Sequence, residues 1–146
     1  MWWKILMPRT AVPAALAAPG GSNPMRGIIL FAHGAREAQW AEPFQQILAQ
    51  VRNNRPGVLV ELAFLEMMTP TLEQAAESFY AQGIRHITII PLFLAQGGHL
   101  RRDLPKRIGD VAYRFDDLEF EVGTPLGDSP EILEAISGWV VNQIAV

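Results

Sequence analysis

Three potential metal ligands, His33, Glu66 and His99, stand at intervals of 33 residues, and each follows a run that reads as a buried β-strand. In an open parallel sheet the C-terminal ends of the strands lie along one edge, and ligands bind in the crevice outside it. Side chains distant in sequence can meet there. Two imidazoles and a carboxylate, with no thiolate, suit a borderline divalent ion such as Co, Fe, Ni or Zn. The pattern points to an enzyme that handles a metal ion.

Each residue also has a plainer reading. His33, before Gly34, could cap backbone groups or face water. His-Gly pairs also flank the oxyanion hole of lipase-like hydrolases, but those need a Gly-x-Ser-x-Gly elbow, and this chain has none. Glu66 ends an apolar run where an unpaired carboxylate is costly unless it reaches the rim or a metal; it could equally be an acid ahead of a helix cap at Thr69. His99 follows Gly97 and Gly98, which permit close backbone approach and unusual dihedrals, or form an ordinary loop. His86 precedes its strand and so belongs to the opposite edge, exposed and non-catalytic. Arg36, Arg101 and Arg102, with Lys106 one turn on, would draw a polycarboxylate ligand to the cleft mouth. Phosphate cradling by Gly97 and Gly98 finds no support, since neither G-x-x-x-x-G-K-[ST] nor G-x-G-x-x-G is present.

The elements that must position these residues alternate regularly. Gly27–Ala32 is a continuous apolar run of strand length, closed by His33 and Gly34. Trp40, Phe44, Ile47, Leu48 and Val51 recur at helical spacing, with Pro43 in the first turn. Val58–Leu65 reads as the second strand. Thr69 as N-cap and Pro70 as first residue open a helix whose inward stripe is Leu72, Ala75, Ala76 and Phe79, ended by Gly83. Ile87–Leu94 is the most apolar strand, with Pro91 predicting a bulge or irregular pairing near its end. A third helix carries Leu104, Ile108 and Val111, with Asp103 as its cap. Leu118, Phe120 and Val122 alternate with Glu119 and Glu121, as in an edge strand. Ser129 and Pro130 open a last helix whose buried face would be Ile132, Leu133, Ile136, Trp139 and Val140. The expected fold is α/β: a three-layer αβα arrangement around a four-stranded, mainly parallel sheet.

Composition narrows the classes. A chain of 146 residues fits one domain with a real core. A net charge of −3 with dispersed basic residues leaves no nucleic-acid footprint. Zero cysteines exclude disulfides, zinc ribbons, iron–sulfur clusters and thiol nucleophiles, and suit a reducing compartment, with cytoplasm the expectation. No apolar stretch approaches the roughly 18–20 residues that span a bilayer, so no membrane partner is expected. Residues 1–24 hold four prolines and an alanine-rich middle, without strand or helix periodicity. They read as a disordered extension, with Met25 a possible true start. A signal peptide is the lesser reading, because Pro8 and Arg9 interrupt the apolar stretch.

The segments ILFAHGAR (Ile29–Arg36), VELAFLEMMTPTL (Val60–Leu72), IIPLFLAQGGHLRRDLP (Ile89–Pro105) and TPLGDSP (Thr124–Pro130) together resemble the small single-domain class II tetrapyrrole chelatases. These are the sirohydrochlorin cobaltochelatases of cobalamin synthesis, close relatives of the sirohydrochlorin ferrochelatases of sirohaem synthesis. The resemblance runs from about Met25 to the C-terminus and implies a chelatase domain over 25–146. It implies that His33 and His99 are the metal-site histidines and proton acceptors, with Glu66 a strand-end metal ligand. Arg36, Gly97, Gly98, Arg101 and Arg102 would then bind sirohydrochlorin. It further implies a homodimer, no organic cofactor, and a divalent metal as substrate: Co²⁺ first, Fe²⁺ or Ni²⁺ as alternatives. A non-catalytic metal or tetrapyrrole carrier using the same crevice is the expectation from another class.

Overall fold

The computed structural model describes residues 25–144. The segment read as an extension, 1–24, lies outside the described residues.

Four strands form one sheet: β1 (Arg26–Ala32), β2 (Leu59–Phe64), β3 (His86–Pro91) and β4 (Glu119–Val122), in the order β2-β1-β3-β4. All pairings are parallel. The helices are α1 (Glu42–Asn54), α2 (Leu72–Ala81), α3 (Gly98–Arg114) and α4 (Pro130–Gln143), with 3-10 turns at Ala38–Ala41 and Leu126–Asp128. The expected α/β class and strand count hold.

Strand periodicity decides what each face packs against. Odd-numbered Ile29, Phe31, Ala63, Ile87 and Ile89 join the apolar stripes of α2 and α3 in the larger core. Even-numbered Ile28, Leu30, Ala32, Val60, Leu62 and Phe64 face α1, against Trp40, Phe44, Leu48 and Val51. β1 and β3 lie in the middle of the sheet; β1 is buried on both faces, and β3 is buried on one and partly covered on the other, so both are predominantly apolar. β2 and β4 are the edges, and the glutamates of β4 face away from the larger core.

Four local expectations are corrected. β3 starts at His86 and stops at Pro91, without the predicted bulge and short of Leu94, because the segment after Pro91 turns away once the Leu92 N–H has bonded to the Phe31 carbonyl at 2.8 Å. The cap of α2 is Thr71 rather than Thr69: Pro70 still runs beside β2, its carbonyl accepting from the Phe64 N–H at 2.9 Å. Thr71 and Gln74 then close a reciprocal capping box, with bonds of 3.2 and 2.9 Å. Helix α3 starts well over a turn earlier than expected, at Gly98 after an N-cap at Gly97 rather than Asp103, so Asp103 and Pro105 lie inside it. The additional turn follows from Leu100, which extends the buried stripe of Leu104, Ile108 and Val111 toward the N-terminus. The largest correction concerns α4, whose predicted buried face is exposed along its whole length.

Candidate functional site

Strand register explains how part of the site assembles. Gly27 pairs with Leu59 and Ala32 with Phe64, and the ladder continues past the strands: the Leu65 N–H bonds the Ala32 carbonyl at 2.9 Å and the Glu66 N–H bonds the His33 carbonyl at 3.1 Å. The side chains follow, with His33 Nε2 at 2.9 Å from Glu66 Oε1. Both are about half exposed, on the C-terminal rim of the sheet. An imidazole and a carboxylate that meet in water without burial form a pair that an incoming cation can share.

Gly34 makes this meeting possible. Its φ is +94°, and a Cβ there would stand 1.9 Å from the Glu66 carbonyl oxygen. Only a residue without Cβ lets the chain after β1 turn while pressed against the chain after β2. On the other side Phe93 presents its edge to the His33 ring, centroids 6.3 Å apart at 90°, and stacks edge-on with Phe31. His33 is thus bounded by an aromatic wall and a carboxylate.

His99 is not drawn into this pair. β3 pairs with β1 in a register that sets Gly27 beside Ile87, so the residues beyond Phe31 meet Leu92 and Phe93, and His99 follows across a further loop. It lies exposed in the first turn of α3. Among the described residues no three His, Cys, Asp or Glu side chains are grouped to hold one ion. The structure therefore brings together two of the three candidate ligands. Gly97 and Gly98 also differ from expectation: Gly97 is an ordinary extended N-cap, φ −70° and ψ 161°, and a Cβ on it would meet nothing within 4 Å. Arg36, Arg101 and Arg102 are exposed and make no ion pair with another described residue. His86 is at the opposite edge, as expected, but it is partly covered and has a partner, its Nδ1 lying 3.1 Å from Glu119 Oε2.

Sequence reasoning missed Arg107. Its Nε and Nη2 donate to the two Glu73 oxygens at 3.0 and 2.9 Å, and its Nη1 donates to the Leu65 carbonyl at 2.9 Å. One guanidinium therefore ties α3 to α2 and to the residue before Glu66. The helical stripe gives no hint of it, because Arg107 sits beside the stripe and its carboxylate partner is 34 residues away. Burial alone would push the Glu73 carboxyl up; the Arg107 hydrogen bonds and charge, with a bond to its own backbone, outweigh burial and hold it below the ordinary glutamate value of 4.5. A carboxylate depressed on folding stabilises the native state above that ordinary value, and the contribution is lost as pH falls through the folded-state value. Arg107→Ala is expected to lower unfolding free energy by about 1–3 kcal/mol at neutral pH. The loss should shrink as pH falls below the ordinary value and through the lower folded-state one, where the glutamate is protonated in both states. Urea unfolding at pH 7 and pH 3.5 checks both.

Comparison with known proteins agrees with this architecture. The family model described as CbiX matches residues 27–141. A sirohydrochlorin cobaltochelatase of Saccharolobus islandicus is 31% identical over 121 residues, covering 77% of this chain and 91% of that protein. A sirohydrochlorin ferrochelatase of Priestia megaterium is 30% identical over 112 residues, again 77% of this chain but 42% of that protein. The chain thus spans about two fifths of the length of the ferrochelatase. The crystal structure of the sirohydrochlorin chelatase SirB from Bacillus subtilis subspecies spizizenii in complex with cobalt superposes with a TM-score of 0.71 at 26% identity, covering 81% of this chain and 50% of that one. With the match running from β1 into the last turn of α4 on a parallel-sheet fold, this chain belongs to the CbiX family.

Proposed function

We propose that this protein is a sirohydrochlorin chelatase that inserts a divalent ion, Co²⁺ in the first place, into the tetrapyrrole. The observation that carries the reading is the 2.9 Å contact of His33 with Glu66 on the C-terminal rim, a pair of hard and borderline donors open to solvent. Relatives named for cobalt and for iron insertion are equally similar to this chain, so iron is the nearest rival ion, and nickel a more distant one.

Insertion exchanges two pyrrole protons for one M²⁺, so the site must hold the ion loosely and accept two protons. A two-residue hold leaves most coordination positions for the pyrrole nitrogens, whereas a closed four-ligand site would retain the metal. Neutral imidazoles have an ordinary pKa of about 6.5 and serve as proton acceptors near neutrality. In this reading His33 and Glu66 receive the ion and His33 takes one proton. His99, at the head of α3, supplies the second imidazole from across the crevice. Arg36, Arg101 and Arg102, with the backbone of Gly97 and Gly98, bind the carboxylates of sirohydrochlorin. No organic cofactor enters the scheme. A homodimer and a cytoplasmic location complete it. They are supported by the family resemblance, by the absence of cysteine, and by the lack of any helix among the described residues long and apolar enough to cross a membrane.

The test is direct. Purified protein incubated with sirohydrochlorin and Co²⁺ or Fe²⁺ should change the visible spectrum well ahead of a protein-free control. A rate equal to that control, with the tetrapyrrole still bound, would make the protein a carrier instead.

A further inference from the structure

Packing does not hold Glu66 in place. Its side chain is half exposed, Met67 beside it is exposed, and among the described residues its only side-chain hydrogen bond is the contact with His33. The carboxylate is therefore held only as firmly as the backbone that carries it. That backbone is strained: Met67 has φ +62°, and the Met68 N–H bonds the Glu66 carbonyl across it at 2.8 Å. A three-residue turn closed in this way at positive φ is rare, and a residue with a side chain stays there only when its surroundings over-determine it.

Two bonds to a single peptide supply that constraint. The Glu66 N–H donates to the His33 carbonyl at 3.1 Å, and the Leu65 carbonyl, at the other side of the same peptide, accepts from Arg107 Nη1 at 2.9 Å. In a trans peptide these two groups point in opposite directions, so the partners grip it from both sides and rotation must break a bond. The Arg107 grip is a firm one. Its side chain is mostly covered, its Nε and Nη2 are fixed on the Glu73 carboxylate, and Leu104, Ile108 and Val111 seat the helix in the core around it. With the rest of a rigid fork fixed, the remaining donor is aimed. Glu73 also balances the charge, so the guanidinium does not repel a cation arriving at Glu66.

We propose that Arg107 is a positioning residue for the metal site: through the Leu65 carbonyl it fixes the peptide bearing Glu66 and keeps the carboxylate against His33 before an ion arrives. The inference rests on the reading that His33 and Glu66 receive the ion, and adds what holds them ready. A brace that only joined α2 to α3 would matter to folding and not to the metal affinity of the folded protein.

Calorimetric titration of Co²⁺ into the full chain, without tetrapyrrole, separates the two. Arg107→Met keeps the aliphatic stem and loses every donor. It should bind Co²⁺ about 10-fold more weakly than the unmodified chain, the lower end of the cost of losing a group that orients a ligand. In a Glu66→Ala chain, itself weaker, adding Arg107→Met should change nothing further, because Arg107 acts through Glu66. Ile87→Val, a core deletion at the end of β3 away from the rim, should lower stability and leave the affinity unchanged. Arg107→Gln, whose single amide cannot replace the fork, carries the same comparison should Arg107→Met not fold. Unmodified affinity in the Arg107 variant, an equal loss in Ile87→Val, or the same further loss in the Glu66→Ala background overturns the inference and leaves the reading of the rim standing. Undiminished affinity in Glu66→Ala overturns both.

Discussion

His33→Ala is expected to slow metal insertion by about 10²–10⁴-fold, the range for losing a positioned proton acceptor, with the lost ligand adding to it. Stability should change by less than about 0.5 kcal/mol, since the side chain is 54% exposed and its polar partner Glu66 can turn to water. His99→Ala should reach a similar loss of turnover by a different route. The His33–Glu66 pair remains, so Co²⁺ binding in the absence of tetrapyrrole should persist in His99→Ala and weaken in His33→Ala. Glu66→Gln combined with His33→Ala should cost little more than His33→Ala alone, because groups that share one ion are not additive. His86→Ala provides the contrast: it loses a contact to Glu119 at the other end of β3 and should keep full turnover. Turnover measured for the four variants decides the matter, and equal losses in His33→Ala and His86→Ala would remove the site from this rim.

The regular spacing of 33, 66 and 99 assigns the three candidate ligands to one edge of the sheet, for a reason that holds only in part. What joins His33 to Glu66 is the parallel register of β1 and β2, in which Ala32 faces Phe64; two apolar runs of similar length, each ended by a polar residue, make that pairing legible in sequence. The third interval has no such warrant. β3 is followed by a loop and a helix start before His99 is reached, and hydrophobic periodicity does not report how a loop folds back. The strands, α2 and α3 were readable because their buried stripes are local properties of the chain; the stripe of α1 is only partly buried, and Ile47, expected in it, is exposed. The cap at Thr71 was missed although Thr71 and Gln74 spell a capping box, because Thr69-Pro70 two residues earlier is also a good start signal, and only the Phe64 contact with Pro70 decides between them. For α4 the stripe was read correctly and its burial was not: an amphipathic pattern shows that a helix has an apolar face, not what that face packs against, and this helix packs mainly on the turn before it.

Gly34 shows where a residue with no functional group controls the chemistry. Gly34→Ala must relieve a Cβ placed 1.9 Å from the Glu66 carbonyl oxygen, and it must do so at φ +94°, a region that costs an L-residue about 1–3 kcal/mol before any clash is counted. Both strains are relaxed by separating the chain after β1 from the chain after β2, and that movement breaks the Glu66 N–H bond to His33 along with the 2.9 Å side-chain contact. A shift of about 1 Å in a reacting group costs on the order of 10²-fold in rate. Gly34→Ala is therefore expected to lower stability and turnover together, whereas His33→Ala lowers turnover alone. Gly98→Ala separates this effect from glycine loss in general, since a Cβ there meets nothing nearer than Arg102 Nη2 at 4.0 Å, and alanine at a helical position should hold or slightly raise stability. Thermal unfolding and insertion rate measured side by side for the three variants test the argument, and a Gly34→Ala protein as stable and as active as the unmodified chain would show that the turn after β1 does not set the His33–Glu66 contact.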